Sequence, residues 1–203
     1  MSKRAALKRH ISIAWERTIC EYDDGFINNE ARLQVSFVSH LKDVFSEGLV
    51  SRTVYVETPF RLSENPIVNA DFVPDVVICS DRRIIGMVEL KFAPRAAPGY
   101  KRDIQKLSRL FSVRKDKEIQ IGTVRYRGRQ PLQKFSFSSD VLLAYCAVHS
   151  DTKPAWPQTV QAFVSQDDSG ARESIQIYGA RTQENGDACV WAWPSLEKEH
   201  QAK

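Results

Sequence analysis

Eight consecutive residues, Val141 to Val148, form an apolar run without a single charge. A run this short, apolar on both alternating sets of side chains, fits a central strand buried on both faces rather than a surface strand with one wet side. A strand of that kind must be covered from above and below. The chain has the material: 42% of its 203 residues are hydrophobic and 27% are charged, an ordinary balance for one substantial core. Its length fits a single domain over residues 1–203. No stretch approaches the roughly 20 apolar residues needed to cross a bilayer. The basic start of the chain is not followed by an apolar segment with a cleavage site, so the expected location is the cytoplasm.

Helical spacing of Leu7, Ile11, Ala14, Trp15, Thr18 and Ile19 predicts a first helix over 3–21, broken by Tyr22-Asp23-Asp24-Gly25. Asn28 or Asn29 can cap a second helix that runs to about Glu47 and stops at Gly48. Strands are expected over Thr53–Phe60, Phe72–Ser80 and Ile84–Phe92, the last two joined as a hairpin by Asp81-Arg82-Arg83. A helix from about Tyr100 to Arg114 follows. Residues 117–139 read as irregular or as a basic hairpin, and Pro157–Gln166 as helix or strand. Glu173–Tyr178 and Ala188–Trp193 read as paired strands. Cys20, Cys79, Cys146 and Cys189 are widely spaced and form no C-x2-C pair, so free thiols are expected rather than structural zinc.

The chemistry concentrates at Pro74-Asp75 and Glu89-Leu90-Lys91. Side chains alternate along a strand, so Glu89 and Lys91 share a face with Met87, while Val88, Leu90 and Phe92 pack the other. If the hairpin pairs around its short link, Asp75 falls opposite the same face. Two carboxylates and an ammonium in one small volume are costly in a core unless paired or metal-bound. A hard divalent cation resolves the repulsion, since Mg2+ prefers carboxylate and carbonyl oxygens. The alternative is a solvent-exposed Glu/Lys strand.

With Asp75 followed, after thirteen residues, by Glu89-x-Lys91, the chain resembles the PD-(D/E)xK nuclease superfamily over roughly residues 27–148. That resemblance implies an α/β fold with a restriction-endonuclease-like αβββαβ core: a mixed sheet flanked by helices, here with an added N-terminal helix and a mixed C-terminal tail. It implies catalysis by Asp75, Glu89 and Lys91. It also implies Mg2+ (or Mn2+) held by Asp75 and Glu89, with Glu30 of the first core helix and Leu90 as further ligands. Asp103 and Lys106 share a helix face and either steer Lys91, contact a phosphate or form a surface ion pair. Gln34 either orients Glu30 or a substrate group or is a satisfied helix-edge amide.

Net charge is uneven. Residues 1–18 hold five Lys/Arg against one acid and residues 101–134 eleven against three, whereas 19–100 and 135–203 each carry a net −4. Such concentration suits a polyanion held beside an acidic centre. Arg125, Arg127 and Arg129 alternate, with Lys134 following, as a ribbon with one cationic face suited to phosphates would require; a generic charged surface is the alternative. Trp156, Trp191 and Trp193 fit core, interface or base stacking. The leading expectation is a DNA endonuclease of a restriction, phage-defence or mobile-element system, as a homodimer or within a multi-protein complex. The alternatives are a nuclease acting on RNA, on branched or single-stranded DNA or as a toxin, and a nuclease-like module that binds nucleic acid or protein without cutting.

Overall fold

The computed structural model describes residues 3–58, 60–62, 73–113, 119–121, 133–150, 156–166, 170–183 and 188–194, with backbone alone at 60–62, 113, 119–121 and 133. The helices are α1 (Lys3–Asp23), α2 (Glu30–Glu47), α3 (Lys101–Val113) and α4 (Trp156–Ser165). The strands are β1 (Thr53–Val56), β2 (Phe60–Leu62), β3 (Val76–Ser80), β4 (Arg83–Ala93), β5 (Ile119–Ile121), β6 (Gln133–Ser150), β7 (Ile175–Thr182) and β8 (Ala188–Trp193).

The apolar octet is the second half of β6, the axis of a mixed sheet of six strands in the order β1-β3-β4-β6-β7-β8. β4 and β7 lie parallel to β6 on either side, while β1–β3, β3–β4 and β7–β8 are antiparallel. β5 pairs with the first residues of β6, and β2 pairs with β5. Parallel central strands need cover on both faces, and alternation delivers the side chains to both. Val88, Leu90, Leu142, Ala144, Cys146 and Val148 meet α1 and α2. Met87, Leu143, Tyr145 and Ala147 meet α3 and α4. The result is an α/β fold, a six-stranded mixed sheet flanked by helices.

The helices form where capping and periodicity place them. Asn29 accepts the Arg32 N–H at 2.9 Å, closing the first turn of α2, and Gly48 ends it; loss of such a cap costs about 1 kcal/mol. α1 buries Ile11, Ala14, Trp15 and Ile19. It approaches β4 so closely that a Cβ on Gly86 would lie 2.9 Å from Leu7 Cδ2. No helix among the described residues is long and apolar enough to cross a membrane.

Several expectations are corrected. The first strand ends at Val56, because Glu57 turns the chain with φ 45°, and residues 60–62 form a separate strand. The second strand begins at Val76 rather than Phe72. The last central strand begins at Gln133, eight residues early, because β4 and β5 both offer ladder partners to its polar first half. The 117–139 segment is therefore a β5–β6 antiparallel pair around residues 122–132, which lie outside the described residues. Pro157–Gln166 is essentially α4, and the tail strands pair as expected. Cys79 and Cys146 are buried free thiols, and Cys20 and Cys189 are exposed ones.

Candidate active site

β3 and β4 stay paired from Ser80↔Arg83 to Val76↔Val88; beyond that point β4 runs on to Ala93 while β3 has no further residues. Pro74 carries no N–H and ill suits a ladder, so the strands part there. Asp75 is consequently not within a strand, as the sequence suggested, but one residue ahead of it. Its carboxylate replaces the missing backbone partner: the Leu90 N–H donates to Asp75 Oδ2 at 2.6 Å. The Asp75 carbonyl accepts from the Glu57 N–H at 3.1 Å and from Gln34 Nε2 at 3.4 Å. Gln34 thus holds the backbone of Asp75 rather than the Glu30 side chain.

On the α3 face of β4, Glu89 is 2% exposed. Lys106 Nζ stands 2.8 Å from its Oε1 and donates to the Val73 carbonyl at 3.0 Å. That buried oxygen is held by this ion pair and meets no other hydrogen-bond donor. Burial first, and the nearby Asp75 charge second, push the Glu89 carboxyl up to about 8, against the pull of Lys106. Burial also raises Asp75, opposed by the Leu90 N–H and by Lys91 and Lys106.

Lys91 lies 3.6 Å from Glu30 Oε1 and 3.7 Å from Asp103 Oδ2. Burial favours its neutral amine, but Asp103, Glu30, Asp75 and Glu89 together outweigh that and raise its pKa. The second Glu30 oxygen accepts the Phe92 N–H at 3.2 Å. Asp75, Glu89, Lys91, Glu30, Asp103 and Lys106 therefore form one electrostatic cluster at the end of the sheet. Two of its members come from β4, one from the residue ahead of β3, two from α3 and one from the first turn of α2.

Tyr145 belongs to this neighbourhood and was not expected there. It is the β6 partner of Glu89 in the parallel register, and its hydroxyl donates to the Gly99 carbonyl at 3.2 Å. Burial raises its pKa, with Asp103, Glu30 and Glu89 adding to the effect. Trp156 Nε1 donates to the adjoining Pro98 carbonyl at 3.0 Å, so two aromatic side chains hold the turn that launches α3. A cavity of about 510 Å3 lined by Lys91, Gly99, Tyr100, Lys101, Arg102 and Asp103 opens beside it. Lys101 and Arg102 carried no sequence signal beyond general basicity.

The remaining expectations separate. Leu90 has a buried side chain and gives its N–H to Asp75, so only its carbonyl oxygen is left as a ligand. Both Glu30 oxygens face donors, Lys91 and the Phe92 N–H, rather than the other two carboxylates. Among the described residues no three His, Cys, Asp or Glu side chains group as a metal-ligand set. Lys134 is exposed near the start of β6, roughly 35 Å of strand from Tyr145, and does not join the site. Arg125, Arg127 and Arg129 lie outside the described residues. Trp156 and Trp191 pack together with ring centroids 6.1 Å apart, and Trp191 Nε1 donates to His149 Nε2, a core role. No family model, curated protein or solved structure matches the chain.

Proposed function

We propose that the chain is a divalent-metal-dependent nuclease with a restriction-endonuclease-like core, most readily a DNA endonuclease. The observation that carries this reading is the pairing of buried Glu89 with Asp75 at the point where β3 and β4 part, beside Lys91. The succession α2, β1, β3, β4, α3, β6, with β2 and β5 as additions, supports the core.

The residues fit a hard cation of the Mg2+ or Mn2+ kind. Asp75 and Glu89 offer carboxylate oxygens, one of them buried with Lys106 as its ion-pair partner and no other hydrogen-bond donor, and Mg2+ is commonly held by one or two carboxylates with water completing its shell. When bound, such an ion lowers the pKa of water and stabilises charge on a phosphate. The chain's own residues divide the remaining work. Lys91, held protonated by four carboxylates, neutralises negative charge developing on the phosphate and orients the attacking water rather than removing its proton. Glu30 and Asp103 position that ammonium from two different helices. Lys101 and Arg102 line the cavity beside Lys91, where a phosphodiester would sit.

The test is a cleavage panel of duplex, single-stranded and branched DNA and of RNA, with Mg2+ or Mn2+. Cleavage of RNA or branched DNA alone would redirect the substrate, and cleavage of none would overturn the reading. One observation favours a second reading, a binding module without cleavage: Lys106 already supplies a cation 2.8 Å from Glu89. Nucleic-acid binding that no metal converts into cleavage would select it.

A further inference from the structure

A cleft of about 860 Å3 lies at the opposite end of β4 from Glu89 and Lys91. Its cationic wall comprises Lys3 and Arg4 from the first turn of α1, Arg52 ahead of β1, and Arg82 and Arg83 at the β3–β4 turn. Two carboxylates share the lining, Asp81 and Asp140, and Asp140 already accepts a hydrogen bond from the Ser138 hydroxyl. Five cations thus face two acids across a space within the usual range for a small-molecule site, about 300–1,000 Å3.

The fold gathers these cations against their own electrostatics. α1 has no acid in its first turn, and Lys3 and Arg4 there oppose the positive end of the helix dipole. Arg82 and Arg83 are exposed neighbours on one turn. Arg52 is fixed at the wall by donating to the Ser51 carbonyl at 2.7 Å and the Ser80 hydroxyl at 3.2 Å. His10, also on the wall, has its pKa lowered by burial and then by Arg52 and Arg9, which reports a positive field. Ser80, Ser136 and Ser139 add hydroxyl donors to the same lining.

We propose that this cleft is a second anion site, taking two or more adjacent phosphates of a nucleotide-sized ligand. Arginine forks and hydroxyls suit phosphate oxygens, and a volume of about 860 Å3 suits a nucleotide-sized ligand. The eight steps of β4 from Arg83 to Lys91 put it about 26 Å from the candidate active site, so the ligand is not a substrate of that site. The inference does not rest on the nuclease reading.

Calorimetric titration of the full chain, at low salt with EDTA, tests it with pyrophosphate, ATP, and an oligothymidylate with and without a 5′-phosphate. Pyrophosphate and ATP should bind wild type and bind a folded R52A/R83A double variant at least tenfold more weakly. Lys42→Ala with Arg172→Ala removes two exposed cations elsewhere and should bind as wild type. Binding of only the 5′-phosphorylated oligonucleotide, lost in R52A/R83A, supports the same phosphate chemistry and assigns it to a strand end. If R52A/R83A misfolds, the single variants Arg82→Ala and Ser139→Ala carry the comparison, each expected to weaken binding severalfold. Absence of binding by every probe, or binding unaffected by the cleft variants, overturns the proposal.

Discussion

At one end of β4, Glu89 and Lys91 sit among Asp75, Glu30, Asp103 and Lys106, charges of both signs interleaved, with Glu89 buried, Lys91, Asp103 and Lys106 partly buried and Glu30 on the exposed rim. At the other end, Arg82 and Arg83 sit with Lys3, Arg4 and Arg52, like charges gathered around an open cleft. The same strand carries both, so the difference lies in what surrounds it. α3 closes over the first group, and burial there makes each charge depend on its neighbours. Solvent reaches Lys3, Arg82 and Arg83 of the second group, where screening weakens the hold of each cation on the next. Coupled buried charges suit chemistry, in which a proton or a metal must be controlled. Exposed charges, more weakly coupled, suit recognition.

The largest expected effect is on cleavage. Lys91→Ala and Asp75→Ala should each lower it by about two to four orders of magnitude while circular dichroism shows an unchanged fold. Excess Mn2+ should partly restore Asp75→Ala and do less for Lys91→Ala. The contrast between the two ends breaks if Arg83→Ala, measured alongside, loses as much activity.

Stability should separate the ends next. Burial pushes the Glu89 carboxyl up to about 8 in the folded chain against an ordinary 4.5, so the folded state binds more protons than the unfolded state between those values. Stability therefore falls as pH rises through that window and levels off above it. Glu89→Gln, in EDTA, should remove this loss, becoming more stable than wild type by on the order of a few kcal/mol at pH 8, with little difference below pH ~4.5. Thermal unfolding at several pH values measures it. Parallel pH profiles for the two proteins would mean that Glu89 ionises in place without cost.

Gly86 lies between the two ends, where α1 touches β4. Gly86→Ala forces a Cβ against Leu7 Cδ2 and should cost about 1–3 kcal/mol in urea denaturation. Because α1 carries Lys3 and Arg4 while α3 carries Asp103 and Lys106, the shift should weaken anion binding more than cleavage. Equal losses would mean that α1 and α3 respond as one body. The smallest effect belongs to Arg83→Ala, within about 0.5 kcal/mol of wild-type stability, since it removes one exposed like charge from a crowded turn.

Much of this arrangement was readable in one dimension because its causes are local. The apolar octet Val141–Val148 required a covered central strand, Asn29 and Gly48 bounded a helix, and Asp81-Arg82-Arg83 left room only for a tight hairpin. Glu89 and Lys91 share a face of β4, toward α3, through the two-residue repeat of a strand, which needs no tertiary partner. The position of Asp75 was misread because its place depends on where two strands stop pairing, and Pro74 settles that through a missing N–H. Tyr145 hid inside the apolar run, since its nearness to Glu89 is a matter of register between β4 and β6, whose paired residues are more than 50 positions apart. Lys106 was visible as a helix-face cation, but its choice of Glu89, and the choice of Lys91 by Asp103, depend on how α3 docks on the sheet. The basic cleft is the extreme case. Lys3, Arg52 and Arg83 are strangers in sequence, and they meet because α1, the entry to β1 and the β3–β4 turn end at one edge of the sheet. Short-range sterics and alternation write themselves into neighbouring residues; register, docking and long-range charge balance do not.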